Sequence, residues 1–193
     1  MAAELSDRFK EILFTPEEVD AKIEEMAATL VEMFKDKDKE KILFVELLNG
    51  AQAFASKLMF AIDRLDPSFK PNLQAMIISR YGESRDGSEI RVVTDLPPDY
   101  RDLTGYDVVI LDDLIDEGVT LEFGRELLLG YGSQSVESVV LVKKNKRTKT
   151  VGKVALFGFE TEDVWLTGMG MDNSSIEGAE ANRWYGGIAI PRD

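Results

Sequence analysis

Cysteine and histidine are both absent from this 193-residue chain. Without Cys there is no disulfide framework, and without either residue the usual zinc sites and every His-based catalytic triad are excluded. Acid-base chemistry must then fall to Asp, Glu, Lys or Tyr. Long apolar runs are missing as well, since none approaches the ~20 residues needed to span a bilayer. The opening residues MAAELSDRFK lack the basic and apolar regions of a signal peptide, so a soluble protein of the cytoplasm is expected. Basic residues are scarce: 23 Lys and Arg against 36 Asp and Glu leave a net charge of −13. Nucleic-acid binding needs a basic face, so neither nucleic acid nor membrane is an expected partner. One local exception, Lys143, Lys144, Lys146, Arg147 and Lys149 after the apolar stretch Val139 to Val142, reads for the most part as a solvated loop.

The length supports one core, and the pattern along it alternates strands with helices. Thr15, Pro16 and Glu18 form a helix-start signature, with Thr as N-cap and Pro at the first helical position. Val19, Ile23, Met26, Leu30 and Met33 follow at helical spacing and predict one buried face. Strands are predicted at Ile42–Leu47, Leu73–Ser79, Ile90–Thr94, Val108–Leu111, Val136–Val142 and Val154–Phe157, with helices at Gln52–Leu65 and Thr120–Gly130. This order predicts a single α/β domain, a mostly parallel twisted sheet flanked by helices, with a small appended lobe.

The segment Val108 to Leu121, VVILDDLIDEGVTL, concentrates the chemistry. An unbroken apolar run reads as a strand buried on both faces, and Asp112 and Asp113 are expected just past its carboxyl end, where open α/β sheets bind ligands. The following DEGVT turn offers backbone N–H groups and a helix start to an anion. Adjacent carboxylates suit vicinal hydroxyls or a hydrated divalent cation, and the turn suits a phosphate, so the segment reads as a sugar-phosphate cradle. An ordinary strand-to-helix turn with acidic caps is the other reading.

This segment closely resembles the phosphoribosyl pyrophosphate motif of the type I phosphoribosyltransferases, in the hypoxanthine-guanine branch. The likeness continues in order along the chain. KILFVELLNGAQAFASKL resembles that family's first core strand, pyrophosphate loop and following helix; VVLVKKNKR, FGFE and DVWLTGMGMD resemble its purine-binding segments; KEILFTPEEVDAKIEEMA resembles its N-terminal strand and helix. The resemblance implies a core at about 36–160 and a hood from about 1–20 and 161–193. It also implies a Mg2+-dependent purine salvage enzyme that joins hypoxanthine or guanine to phosphoribosyl pyrophosphate, acting as a homodimer or homotetramer.

The roles implied by the resemblance fall on named positions. Asp116 would be the catalytic base at the purine N7 proton, its other reading being a helix N-cap. Asp112 and Asp113 would hold the ribose hydroxyls and hydrated magnesium, and Asp172 a magnesium on the pyrophosphate side. Glu117, Gly118, Val119 and Thr120 would form the 5′-phosphate loop, and Leu48, Asn49 and Gly50 the pyrophosphate loop. Lys143 would donate to the exocyclic oxygen of a 6-oxopurine, Trp165 would stack on the base, and Leu166 would read its edge through the backbone. Arg80 and Tyr81 would begin a closing lid, or else an ordinary surface hairpin. Three positions depart from the family pattern. Glu117 replaces a Thr, Asn49 replaces a Lys, and Gly178 stands where an Arg grips pyrophosphate, leaving Arg183 as the nearest candidate. These departures keep open a catalytically weak or regulatory nucleotide-binding homologue, and a transferase for another nucleobase such as xanthine is a further alternative.

Overall fold

The computed structural model of the protein describes residues 8–81, 89–145, 153–171 and 182–192. Its centre is a six-stranded sheet of β2 (Ile42–Leu47), β3 (Asn72–Tyr81), β4 (Glu89–Thr94), β5 (Asp107–Ile115), β6 (Ser135–Asn145) and β7 (Leu156–Glu162). The strands lie in the order β4-β3-β2-β5-β6-β7, all parallel except the antiparallel edge strand β4. Parallel neighbours require crossovers, which the chain supplies as α2 (Gln52–Leu65) between β2 and β3 and α3 (Val119–Gly130) between β5 and β6.

Both faces of the sheet are covered, which explains the apolar runs of the central strands. Ile42, Phe44, Val109 and Leu111 face a cluster that includes Phe54 and Leu58 of α2 together with α1 (Pro16–Met33). Leu43, Val45, Val108 and Ile110 face the opposite cluster, with Leu121 and Leu128 of α3. Helix α1 opens with the predicted capping box: Thr15 Oγ1 accepts from the Glu18 N–H at 3.3 Å, and Glu18 Oε2 accepts from the Thr15 N–H at 2.8 Å. Its buried stripe ends earlier than the spacing predicts. Met33 is 41% exposed while Phe34, the C-cap residue, is only 4% exposed, because the helix stops and the turn swings Phe34 inward.

Three strand ends also differ from expectation. β5 continues past Leu111 to Ile115, so Asp112 and Asp113 lie within the strand rather than beyond it. Its pairing with β6 persists through Ile115 opposite Lys143, which carries β6 on to Asn145. β7 begins at Leu156 instead of Val154, and as an edge strand it leaves Phe157, Glu160 and Glu162 exposed, a pattern a contiguous apolar run does not reveal. The two chain ends pair with each other: β1 (Phe9–Phe14) runs antiparallel to β8 (Ile188–Pro191), forming a small lobe joined to the 167–171 stretch through Thr167 and Ala189.

Candidate active site

The site grows from the carboxyl ends of β2, β5 and β6. At the end of β5 the Asp113 N–H donates to Asp112 Oδ1 at 3.1 Å, which sets the two carboxylates side by side. Asp112 is enclosed by protein on most sides and keeps only part of its surface to solvent. Burial first, and then the neighbouring Asp113 charge, hold its carboxyl well above the usual carboxylate range. Asp113 leans the other way, onto the loop after β2. A Cβ at Gly50 would stand 2.2 Å from Asp113 Oδ2, so only glycine lets the loop backbone meet that carboxylate. The same loop contains a cis peptide between Leu48 and Asn49, and leaves Asn49 exposed.

Beyond Ile115 the chain turns into α3, whose N-cap is Gly118 in the left-handed conformation, φ 79°. A side chain there would be strained, and the helix start carries no side-chain cap. Asp116 is therefore not the N-cap. The turn encloses a small open cavity of about 90 Å³, lined by Asp112 and residues 114–121. Gly118 is buried and Thr120 half-buried at its floor, and the exposed Glu117 stands on its rim.

The two lysines at the end of β6 sit differently. Lys143 does not face Asp116: its Nζ lies 3.1 Å from Glu160 Oε1 and 4.9 Å over the Phe157 ring. The residue turned toward the cradle is Lys144, with a side chain only 7% exposed and its Nζ 3.9 Å from Asp116 Oδ2, 3.7 Å from Asp163 Oδ1 and 5.6 Å from the Trp165 ring centroid. Consecutive strand residues point to opposite faces, so Lys143 and Lys144 leave β6 on opposite sides, and the register with β7 runs through both without a shift. Trp165 lies in the loop after β7, 63% exposed, while its neighbour Leu166 is buried. Trp165 is therefore not core.

The C-terminal segment closes the opposite side. Gly170, φ 98°, abuts the Gly50 carbonyl so tightly that a Cβ there would stand 1.9 Å from it. Its N–H donates to the Arg183 carbonyl at 3.0 Å, which brings Arg183 to the edge of the Gly50 loop. Arg80 and Tyr81 end β3, their backbones paired with Ile90 and Glu89; the remainder of the expected lid, and Asp172, lie outside the described residues.

The sequence matches the family described as "Phosphoribosyl transferase domain" over residues 11–174. The chain belongs to the phosphoribosyltransferase family. A hypoxanthine-guanine phosphoribosyltransferase of Dictyostelium discoideum is 30% identical over 164 residues, which cover 84% of this chain and 87% of that protein. One from Bacillus subtilis (strain 168) is 31% identical over 165 residues, covering 84% and 85%. Among solved structures, a hypoxanthine phosphoribosyltransferase from Staphylococcus aureus superposes with a TM-score of 0.82 at 25% identity, covering 100% of this chain and 96% of that one. Within this phosphoribosyltransferase, sequence reasoning missed Lys144, Asp163 and the Gly50–Gly170 contact. Neither an ion pair between distant segments nor a backbone-to-backbone approach leaves a mark in residue type, apart from the glycines themselves.

Proposed function

We propose that this phosphoribosyltransferase joins hypoxanthine or guanine to the ribose of phosphoribosyl pyrophosphate, giving the nucleoside 5′-monophosphate and releasing pyrophosphate. The observation that carries the reading is the lysine pair at the end of β6, with Lys144 buried between Asp116 and the exposed face of Trp165 and Lys143, the lysine the resemblance assigns to the base, next to it, beside the phosphate-sized turn. An ammonium donates and cannot accept, so it favours the exocyclic oxygen of a 6-oxopurine over the amino group of adenine. Asp116, beside it, takes the N7 proton as the base attacks the anomeric carbon, and its charge offsets the positive charge that develops on the ribose. Trp165 stacks on the base and the Leu166 backbone reads its edge. Backbone N–H groups of Gly118, Val119 and Thr120 hold the 5′-phosphate at the start of α3.

Asp112 and Asp113 bind the ribose hydroxyls, and their donor set fits magnesium. A buried carboxylate pushed upward by its neighbour's charge gains most from a nearby hard cation. Magnesium in such sites is held by one or two carboxylates together with substrate phosphates. Asp112 and Asp113 would hold it on the ribose side and Asp172 on the pyrophosphate side; when bound it supplies charge neutralisation to the leaving pyrophosphate. Arg183, whose carbonyl accepts from the Gly170 N–H beside the Gly50 loop, would grip that group in place of the arginine that Gly178 replaces. The proposal includes cytoplasmic residence and assembly as a homodimer or homotetramer, which sedimentation of the pure protein checks. Among the described residues no helix is long and apolar enough to cross a membrane.

Incubating the protein with phosphoribosyl pyrophosphate, magnesium and each nucleobase in turn tests the reading. Nucleotide is expected from hypoxanthine and guanine and not from adenine. No product from any base would leave the cradle as a nucleotide-binding or regulatory module. Glu117 offers a finer test, because a carboxylate on the rim repels the incoming phosphate through a largely aqueous path. Glu117→Thr is expected to lower the Michaelis constant for phosphoribosyl pyrophosphate by about two- to fivefold, the scale of a screened pair, without changing that of the purine. Weaker substrate binding in that variant would mean the carboxylate assists the site.

A further inference from the structure

Lys143, the lysine the resemblance assigns to the base, is held from the edge of the sheet. It is paired with Glu160 in the parallel register of β6 and β7, and its Nζ donates to Glu160 Oε1 at 3.1 Å while lying 4.9 Å over the Phe157 ring. Both partners sit on the edge strand and are part-exposed, the Glu160 side chain to 46% and Phe157 to 40%. Lys144 leaves β6 on the opposite side, and it is Lys144 that stands near Trp165 and Asp116. For Lys143 to reach a base stacked on Trp165, its head must come off Glu160.

An ion pair as exposed as this one, and a cation over an exposed ring, are weak holds. The lysine head rides on a flexible four-carbon stem, so it can be drawn away without moving the strand. A carboxylate is a stronger acceptor than a purine oxygen, but the base brings its stacking with it, so the two compete for the ammonium on similar terms. We propose that Glu160 is a positioning residue that, with Phe157, holds the Lys143 ammonium in competition with the exocyclic oxygen of the base, so that every base that binds must draw the ammonium off Glu160. This rests on the transferase reading above. Glu160 touches neither base nor sugar phosphate; its effect passes through Lys143. The nucleotide product carries the same oxygen, so the same competition loosens the product and favours its release.

The test compares wild type with Glu160→Gln, Glu160→Asp, Lys143→Gln and the Glu160→Gln/Lys143→Gln double variant. Measured are the Michaelis constants for hypoxanthine and for phosphoribosyl pyrophosphate, the dissociation constant of the nucleotide made from hypoxanthine, and the melting temperature. Glu160→Gln is expected to lower the hypoxanthine and nucleotide constants about three- to fivefold, the upper range for a part-exposed ion pair. The phosphoribosyl pyrophosphate constant and the melting temperature should hardly move, a split that a change in the fold does not produce. Glu160→Asp keeps a carboxylate at the same strand position and should stay within about 1.5-fold of wild type. In the Lys143→Gln background, adding Glu160→Gln should change nucleotide affinity by less than about 1.5-fold, because the ammonium it acts on is gone. Weaker hypoxanthine binding by Glu160→Gln would mean that the carboxylate aligns the lysine for the base, and an undiminished gain in the Lys143→Gln background would mean that it acts elsewhere; either result overturns the inference. An active wild type with an unaltered Glu160→Gln variant removes this inference alone, whereas a wild-type protein that makes no nucleotide removes the transferase reading with it.

Discussion

Asparagine in place of Asp116 is expected to cut turnover by about 10²-fold or more, the usual scale of general acid-base catalysis. Binding of phosphoribosyl pyrophosphate should be retained, because the ribose and phosphate contacts proposed above fall on Asp112, Asp113 and the Gly118 turn. Stability should hardly change: Gly118, not Asp116, caps α3, so no helix end loses its partner. Single-turnover kinetics together with a direct binding measurement separate these effects. Near-normal turnover of both hypoxanthine and guanine by Asp116→Asn would mean that another group handles the proton.

A methyl group at Gly50 is expected to be nearly as damaging, for a steric reason. Its Cβ would stand 2.2 Å from Asp113 Oδ2 and 2.7 Å from Asp113 Cγ. That carboxylate ends a side chain and can rotate away, so the fold should survive Gly50→Ala, with a melting temperature lowered by no more than about 4 °C, the shift of ~1 kcal/mol in a domain of this size. The cradle does not survive the same rotation. Displacing a positioning group by about 1 Å can cost 10²-fold, and kcat/KM for phosphoribosyl pyrophosphate should fall on that scale. Unchanged kinetics in Gly50→Ala would show that the loop and the paired carboxylates work independently.

Much of this architecture was legible because it rests on local rules. The Thr15 capping box and the limits of α2 are written in residue type and helical spacing, and the apolar runs of β2 and β5 announce strands covered on both faces. What escaped depends on relations between distant segments. The resemblance points to Lys143, whereas the ion pairs of its neighbour Lys144 with Asp116 and Asp163 join β6 to two distant segments and are not written in residue type. The end of β5 was placed early because carboxylates are poor strand formers, whereas pairing with β6 holds the backbone extended through Ile115. That Asp116 does not cap α3 follows from the left-handed backbone at Gly118, which the glycine permitted but did not announce.

The pairing that follows Trp165 bears on how such a chain tolerates change over evolutionary time. Thr167 and Ala189 exchange both backbone hydrogen bonds, the Met169 N–H donates to the Tyr185 carbonyl, and the Gly170 N–H to that of Arg183. The two stretches are thus zipped together on either side of residues 172–181, and Gly170 is seated on Gly50. Closing a longer connection between ends already fixed is inexpensive, about 0.6 kcal/mol for each doubling of its length. Insertions there can accumulate while Arg183 keeps its station beside the Gly50 loop. Sequence distance from Asp172 is then a poor guide to which arginine a homologue uses, and the glycine whose amide meets the arginine's carbonyl is the better landmark.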